Sequence, residues 1–214
     1  QKGLEILAYM TETQKEEARN LKGRLPIKVN ESQSGYIFDI QVMAIAGEHS
    51  GFAQIAGFHT NVISIKKDGK MIQEKAYAEQ KQLYATDRGT LTVEKIVAFA
   101  ECVDISDVEE VLERQIAYNT AIAEEGMRGA WGAQIGKILM EFYGDSVHNR
   151  AKAMAAAGSD ARMNGCELPV IINSGSGNQG LTASLPVIAY AEELHVSQET
   201  LYRALAISNL VTIH

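Results

Sequence analysis

The hydrophobic pattern of this chain changes its period twice along the sequence. Residues 4–21 place apolar side chains at helical spacing, and beyond them apolar and polar residues alternate with a period of two. The alternating or short apolar runs lie at residues 25–29, 36–42, 51–57 and 61–65. The pair Asp68-Gly69 is typical of a hairpin turn. The pattern therefore predicts an antiparallel meander of three or four strands with one buried face.

From Thr92 onward the apolar spacing is helical. Thr92 is suited to cap the first of these helices, and Asp145 begins another helix that Gly158 is expected to end. Later helices are predicted at residues 181–195 and 201–214. We therefore predict an α+β fold, in which a small antiparallel β-meander region is followed by an all-helical region. The predicted domains are residues 1–85, an antiparallel β region with a leading helix, and residues 86–214, a helical catalytic-type region truncated at its C-terminus.

The composition is that of an ordinary globular protein, and it argues against several classes of function. Hydrophobic residues make up 46% of the chain, yet no apolar run reaches the roughly 18 residues of a membrane span. The net charge of −7 argues against a nucleic-acid partner. Two distant cysteines, Cys102 and Cys166, fit a reducing cytoplasm and form no complete metal site. We expect a cytoplasmic protein that binds neither nucleic acid nor a membrane.

Both termini are typical of an internal piece of a longer protein. The chain begins at Gln1, directly in a helix-like segment. It stops at His214 within apolar helical spacing, with no glycine, proline or capping residue to end the helix. We therefore expect further segments on both sides of these 214 residues.

The segment LPVIINSGSGNQG, residues 168–180, is the strongest candidate for a site. Gly175, Gly177 and Gly180 fit the G-x-G-x-x-G spacing of a dinucleotide-binding turn, and the preceding LPVII resembles a strand. That fingerprint requires a parallel βαβ unit, whereas the sequence on both sides of this segment is helical. Dinucleotide binding is therefore only a remote alternative.

The other residues of this loop favour a pocket for a small anion such as a carboxylate. Amide and hydroxyl side chains supply hydrogen-bond donors and acceptors, and the glycines allow backbone N–H groups to approach a ligand. The helix that follows adds its N-terminal dipole. The alternative is a plain turn rich in turn-forming residues. The loop residues predicted to bind substrate are Asn173, Ser174, Gly175, Ser176, Gly177, Asn178 and Gln179.

A second polar group lies between two predicted strands. His59, Thr60 and Asn61 follow one another there, and such side chains are suited to bind a substrate or to transfer a proton. The alternative is a hairpin connection whose side chains satisfy the local backbone. These three residues are included in the predicted substrate-binding set.

A third group, Ser159-Asp160-x-Arg162, comes directly after a predicted helix end. Its carboxylate and guanidinium are expected either to pair with each other or to contact a ligand, and Ser159 and Asp160 join the predicted substrate-binding set. The two cysteines carry no predicted role. Cys102 is expected on the apolar face of its helix, in the protein core. A free cysteine such as Cys166 is usually a small buried hydrophobe.

Three motifs together resemble one family of enzymes. They are SDARM at residues 159–163, NSGSGNQG at residues 173–180 and HTN at residues 59–61. They are similar to motifs of the L-cysteine desulfidase group, whose relatives include the alpha chain of iron–sulfur L-serine dehydratase. The similarity extends over nearly the whole chain.

The resemblance implies a lyase that eliminates sulfide from L-cysteine, or water from L-serine, and forms pyruvate and ammonia. It also implies a 4Fe–4S cluster held by three cysteines, one near the N-terminus of family members and two in a C-terminal region. Neither region matches part of this chain, so we expect the cluster ligands to lie outside it and no cofactor to bind here. The chain alone is then expected to be inactive.

Two classes of function remain open. The first is an enzyme acting on a small amino acid substrate, with cysteine and serine not distinguished, in a protein that is a possible homodimer. The second is a diverged, non-catalytic member of the same family that binds a small metabolite through the same loop. No catalytic residue is assigned and no metal ligand is predicted in this chain.

Overall fold

The chain folds into two compact units. The computed structural model describes residues 9–36, 38–58, 60–77 and 88–213. Contacts divide the chain into Gln1–Thr86, here called the sheet unit, and Asp87–His214, called the helical unit. The boundary predicted near residue 85 lies outside the described residues, and a catalytic-type role for the second domain stays a prediction.

The sheet unit combines one helix with a four-stranded antiparallel meander, in the order β1-β2-β3-β4. Helix α1, Glu12–Arg24, begins in a capping box formed by Thr11 and Gln14. The strands are β1 (Asp39–Ala46), β2 (His49–Ala56), β3 (Val62–Lys67) and β4 (Lys70–Glu74). Together with the helices of the second unit, this meander confirms the predicted α+β fold.

The hairpin predicted at Asp68-Gly69 is confirmed between β3 and β4. Both residues have positive φ angles, 49° and 75°, as a tight two-residue turn requires. The Asp68 carboxylate also accepts a hydrogen bond of 2.7 Å from the backbone N–H of Ser50 on β2. This bond ties the turn to the neighbouring strand.

Two expectations for the sheet unit are wrong. Residues 25–29 form no strand, and Leu25, Ile27 and Val29 are exposed, because alternation alone does not supply a partner strand. The sheet also lacks the continuous buried face that its alternation predicts, since the side chains of β1 are exposed after Asp39. Within the described residues, the helix predicted over residues 4–21 spans Glu12–Arg24 and so ends later than predicted, while residues 1–8 lie outside the described ones.

The segment before β1 is held by one carboxylate. Asp39 accepts hydrogen bonds from Ser32, Gln41 and Gln54. Burial alone would raise the pKa of Asp39, but these side-chain hydrogen bonds outweigh it and hold the pKa well below its ordinary value. The carboxylate therefore remains ionised and fixes the irregular segment to the first strand.

The helical unit contains six α-helices within its described residues. They are α2 (Val93–Cys102), α3 (Ile105–Arg128), α4 (Ile135–Tyr143), α5 (Val147–Met163), α6 (Gly177–Glu193) and α7 (Gln198–Ile213). Thr92 caps α2 as predicted, its hydroxyl accepting from the N–H of Lys95. None of the helices in the described ranges combines the length and apolar character needed to cross a bilayer.

Helix α3 is the centre of this unit and contacts α5, α6 and α7. Its buried face joins the apolar side chains of the other helices in one core. The buried members of that core are Leu112, Ile122, Ala123, Ala161, Leu181, Leu185, Ile188, Tyr202 and Leu205. The loop at residues 164–176 therefore connects two helices that both pack on α3.

Helix α5 does not end at Gly158, as the sequence suggested, but continues to Met163. Gly158 lies inside the helix, where a Cβ would come within 3.3 Å of Leu181 and 3.5 Å of Ala123. This glycine therefore marks a close contact between helices instead of a helix end. As a result, Ser159, Asp160 and Arg162 lie on the last turns of α5.

Close approach of backbones depends on further small residues. A Cβ added at Gly126 of α3 would overlap the backbone oxygen of Ala157 on α5, and one at Gly136 of α4 would lie 2.5 Å from the oxygen of Ala153. No side chain fits at either contact without moving a helix. The position of α5, and of the residues at its C-terminus, is thus set by glycine and alanine.

We predict that Gly126→Ala destabilises the helical unit by about 1–3 kcal/mol, because the added methyl group forces α3 and α5 apart. Urea unfolding followed by the fluorescence of Trp131, the one tryptophan of the chain, measures this unit. Gly23→Ala is the matched control, since nothing lies within 4 Å of a Cβ at Gly23 in α1. An unchanged midpoint for Gly126→Ala would contradict the close helix contact.

Candidate functional site

The polar loop begins with a tight turn at Asn173–Ser176. The N–H of Asn173 donates to the oxygen of Ser176 at 3.1 Å, and the N–H of Ser176 donates back to Asn173 at 2.9 Å. Ser174 and Gly175 between them have φ angles of 48° and 80°. Glycine adopts this left-handed region readily, whereas Ser174 does so at some cost.

Helix α6 begins directly after this turn. Ser176 is its N-cap, and the Ser176 hydroxyl accepts a hydrogen bond from the N–H of Gln179. The first turn of α6 contains no acidic residue. The remaining N–H groups of this turn therefore carry a positive partial charge that no carboxylate of the same turn offsets.

The glycine spacing of the loop has a packing cause. A Cβ at Gly177 would overlap the Arg162 side chain, and its distance to Cζ would be 2.8 Å. A Cβ at Gly180 would collide with the backbone of Ile171. The residues before the loop, 168–172, form no strand, and the described sheet is antiparallel. The G-x-G-x-x-G spacing thus lacks the parallel βαβ setting that dinucleotide binding requires.

Asp160 and Arg162 do not pair with each other. Asp160 accepts a hydrogen bond of 2.9 Å from the N–H of Ile135 and so caps the N-terminus of α4. The Arg162 guanidinium instead crosses to the loop and donates to the side-chain oxygen of Asn178 at 3.1 Å. Among the described residues, no carboxylate forms a salt bridge with Arg162. Arg162 and the N-terminus of α6 are therefore two positive elements side by side.

The segment before the loop is held by a buried amide that the sequence analysis missed. Asn119 of α3 is fully buried; its Oδ1 accepts from the N–H of Ile171 at 2.9 Å, and its Nδ2 donates to the Ile171 oxygen at 3.3 Å. Nδ2 also donates to the hydroxyl of Ser184 on α6 at 2.9 Å. One side chain thus replaces the strand partner that residue 171 lacks. The sequence signal that could have identified Asn119 is a polar residue at a core position of a helix.

A second amide network holds the turn itself. Asn173 Nδ2 donates to the backbone oxygen and to Oδ1 of Asn209 on α7, at 3.1 and 2.9 Å. Asn209 in turn exchanges hydrogen bonds with Gln115 of α3. The Oδ1 atom of Asn173 is buried and has no hydrogen-bond partner in the structure. Such an atom costs about 1–3 kcal/mol unless a partner reaches it.

Asn173 and Ser174 line a cleft of about 410 Å³ between α2, α3 and α7. A substrate role for the loop residues stays a prediction. Ser159 and Asp160, which belong to the same predicted set, do not line this cleft. The loop has two sides, because its later residues, Gly177 and Asn178, contact Arg162 at the end of α5.

The predicted group between β2 and β3 belongs to the sheet unit. His59 lies outside the described residues, and Thr60 is exposed. Asn61 is buried; its Nδ2 donates to the oxygen of Ala56 at 2.8 Å, and its Oδ1 accepts from Lys75 at 3.0 Å. These bonds support the hairpin alternative for Asn61, while a substrate role for the three residues stays a prediction.

The cysteines differ from expectation in one case. Cys102, expected in the core, is exposed at the end of α2. Cys166 is partly buried and packs beside the core, as a small hydrophobe would. In the described part of the chain, no cluster of three histidine, cysteine or acidic side chains is arranged to hold a metal ion.

Comparison with known proteins gives one family. The sequence pattern of the family described as serine dehydratase alpha chain matches residues 1–214. No solved structure is detectably similar.

Curated relatives are similar over the whole of this chain. A UPF0597 protein of Desulfitobacterium hafniense is 49% identical over 211 residues, which cover 99% of this chain and 49% of the relative. A UPF0597 protein of Lachnoclostridium phytofermentans is 47% identical over 213 residues, covering 100% of this chain and 51% of the relative. The chain spans about half the length of these relatives.

We predict that Asn119→Leu destabilises the helical unit and loosens the loop. The substitution leaves the N–H and the oxygen of Ile171 without partners, at about 1–3 kcal/mol for each group. Hydrogen exchange at the Ile171 amide should accelerate with it. Ser184→Ala is the matched control, because it removes a partner of Asn119 but leaves both bonds to Ile171, and it should cost only about 1 kcal/mol. Equal effects of the two substitutions would show that Asn119 does not hold this segment.

Proposed function

This chain belongs to the serine dehydratase alpha-chain family, and we propose that it supplies the substrate-binding part of an amino acid lyase. The resemblance recognised from the sequence motifs is thereby confirmed at the level of the family. The proposed reaction is the elimination of sulfide from L-cysteine or of water from L-serine. The observation that carries the proposal is the uncompensated positive charge at the beginning of α6.

Two elements of the site favour a carboxylate as the bound group. The N-terminus of α6 offers N–H groups that have no partner within the helix, and the adjacent Arg162 guanidinium has no carboxylate partner among the described residues. A guanidinium binds a carboxylate through two parallel hydrogen bonds, and a helix N-terminus adds its dipole. Asn178, which accepts one hydrogen bond from Arg162, keeps the guanidinium beside the helix.

The backbone at the beginning of α6 has little side-chain cover of its own: Gly175 is exposed, and Gly177 is buried beside the Arg162 side chain. Gly175 and Gly177 carry no side chain that would cover the first N–H groups of α6. Ser176 and Gln179 add a hydroxyl and an amide in the same turn, whereas Ser174 lines the cleft on the other side of the loop. In this proposal Asn173 has a different task, because its amide donates to Asn209 and positions the turn.

Carboxylate binding bears directly on the proposed elimination. A proton leaves the α-carbon, the bond between the β-carbon and sulfur or oxygen breaks, and sulfide or water departs. The resulting aminoacrylate is hydrolysed to pyruvate and ammonia. Negative charge spreads onto the carboxylate as the α-proton leaves, and fixed donors at that carboxylate stabilise it. The roles proposed for Arg162 and the first turn of α6 are to orient the substrate and to stabilise this charge.

The described residues do not fit a 4Fe–4S cluster. Cys102 and Cys166 are far apart in sequence, one exposed and one beside the core, and neither belongs to a group of metal-binding side chains in the described ranges. A cluster in the whole protein would need ligands from beyond these residues, and no step is assigned to it here.

We predict that L-serine shifts the amide resonances of Gly177 and Asn178 in the isotopically labelled chain, whereas L-serinamide, which lacks the carboxylate, does not. Arg162→Gln should weaken the binding of L-serine at least about tenfold, since a hydrogen bond to a charged group is worth about 1.5–3 kcal/mol. The same substitution in a protein of the relatives' length should lower kcat/KM for L-cysteine or L-serine.

Arg150→Gln is the matched control. Arg150 also lies on α5, but it pairs with Asp145 and Glu193 away from the loop. Its replacement should leave the binding of L-serine unchanged. Equal binding of L-serine and L-serinamide would contradict the carboxylate site. Binding of L-serine without turnover in a protein of full length would favour the non-catalytic alternative.

A further inference from the structure

The cleft between α2, α3 and α7 is separate from the side of the loop that is proposed to bind a carboxylate, and its chemistry is different. We propose that this cleft binds a small molecule that carries an ammonium group on an apolar body. The inference goes beyond the lyase activity and does not depend on it. Three properties of the cleft support it: an unpaired acceptor, the sign of its charge and the nature of its walls.

The unpaired acceptor is Oδ1 of Asn173, in a residue that is 5% exposed and lines the cleft. Its identity as an oxygen follows from the network. The backbone oxygen of Leu205 accepts from Asn209 Nδ2, and this bond fixes the Asn209 amide. The backbone oxygen of Asn209 accepts from Asn173 Nδ2 and so fixes the Asn173 amide. Reversing either amide would place two oxygens against each other, so the unpaired atom requires a donor.

The charge of the cleft also favours a cationic donor. Asp107 contributes a carboxylate to the lining, and the described residues of the lining include no lysine or arginine. The other polar members, Gln115 and Asn209, are engaged with each other. A carboxylate ligand would therefore be disfavoured by the negative side chain and by the unpaired oxygen, whereas an ammonium group would be attracted by both.

The rest of the cleft is apolar. Phe99 of α2, Val111 of α3 and Leu210 of α7 line it together with Ile172. The side chains of Phe99, Val111 and Ile172 are exposed at its mouth. A volume of about 410 Å³ is within the range of small-molecule pockets, which are mostly apolar with a few placed polar groups. An ammonium ligand with a short hydrocarbon chain matches this combination.

Titration of the isotopically labelled chain with n-hexylammonium, 1-hexanol and hexanoate tests the proposal. We expect n-hexylammonium to bind saturably and to shift the side-chain amide of Asn173 and the backbone amides of Ile172 and Ser174. 1-Hexanol and hexanoate should bind in this cleft at least about tenfold more weakly. Any hexanoate bound at the other side of the loop is distinguished by shifts at Gly177.

Two substitutions test the charge and the acceptor separately. Val111→Lys adds a positive charge at the mouth of the cleft and should weaken n-hexylammonium roughly threefold to tenfold. Val211→Lys adds the same charge to an exposed valine of α7 that does not line the cleft, and it should have no such effect. Asn173→Leu should remove the preference for n-hexylammonium over 1-hexanol.

The proposal is overturned if n-hexylammonium shows no saturable binding, which is the result expected if only water reaches Oδ1 of Asn173. It is also overturned if 1-hexanol binds as tightly as n-hexylammonium, because the cleft would then recognise only an apolar chain. Equal effects of Val111→Lys and Val211→Lys would reject the cleft as the site. L-Serine binding at Gly177 is unaffected by any of these outcomes, so this proposal and the proposed function fail independently.

Discussion

The loop depends on the hydrogen bonds that Asn119 makes to the backbone of Ile171. Residues before the loop pack against the core of the helical unit without belonging to a helix or a sheet, so their backbone groups need partners from side chains. Asn119 supplies both a donor and an acceptor to one residue, at 3.3 and 2.9 Å. Glycine contacts between α3, α4 and α5 then place the end of α5, and with it Arg162, against the same loop.

The two sides of the loop present opposite chemistry. Toward α5, the N-terminus of α6 and Arg162 offer hydrogen-bond donors and positive charge. Toward α7, the unpaired oxygen of Asn173 and the carboxylate of Asp107 offer acceptors beside apolar walls. Because the turn at Ser174 and Gly175 is only two residues long, one short segment carries both surfaces.

Periodicity predicted the meander of β1–β4 and the main helices, because their burial repeats along the chain with a fixed period. It failed where structure depends on a partner: residues 25–29 alternate but have no neighbouring strand, and Gly158 is required by a helix contact instead of a helix end. The polar loop was found from its composition. Pairing of Arg162 with Asp160, one of two alternatives, was wrong, and Asn119 was not considered, because both residues act through partners distant in sequence.

The most direct measurement is a crystal structure of this protein with L-serine bound. We expect the serine carboxylate to lie within hydrogen-bond distance of the Arg162 guanidinium and of an N–H group in the first turn of α6. The turn at Asn173–Ser176 should keep its present conformation, with Asn119 still bonded to Ile171. Serine bound elsewhere, with the beginning of α6 facing only solvent, would contradict the carboxylate site and the role given to the loop.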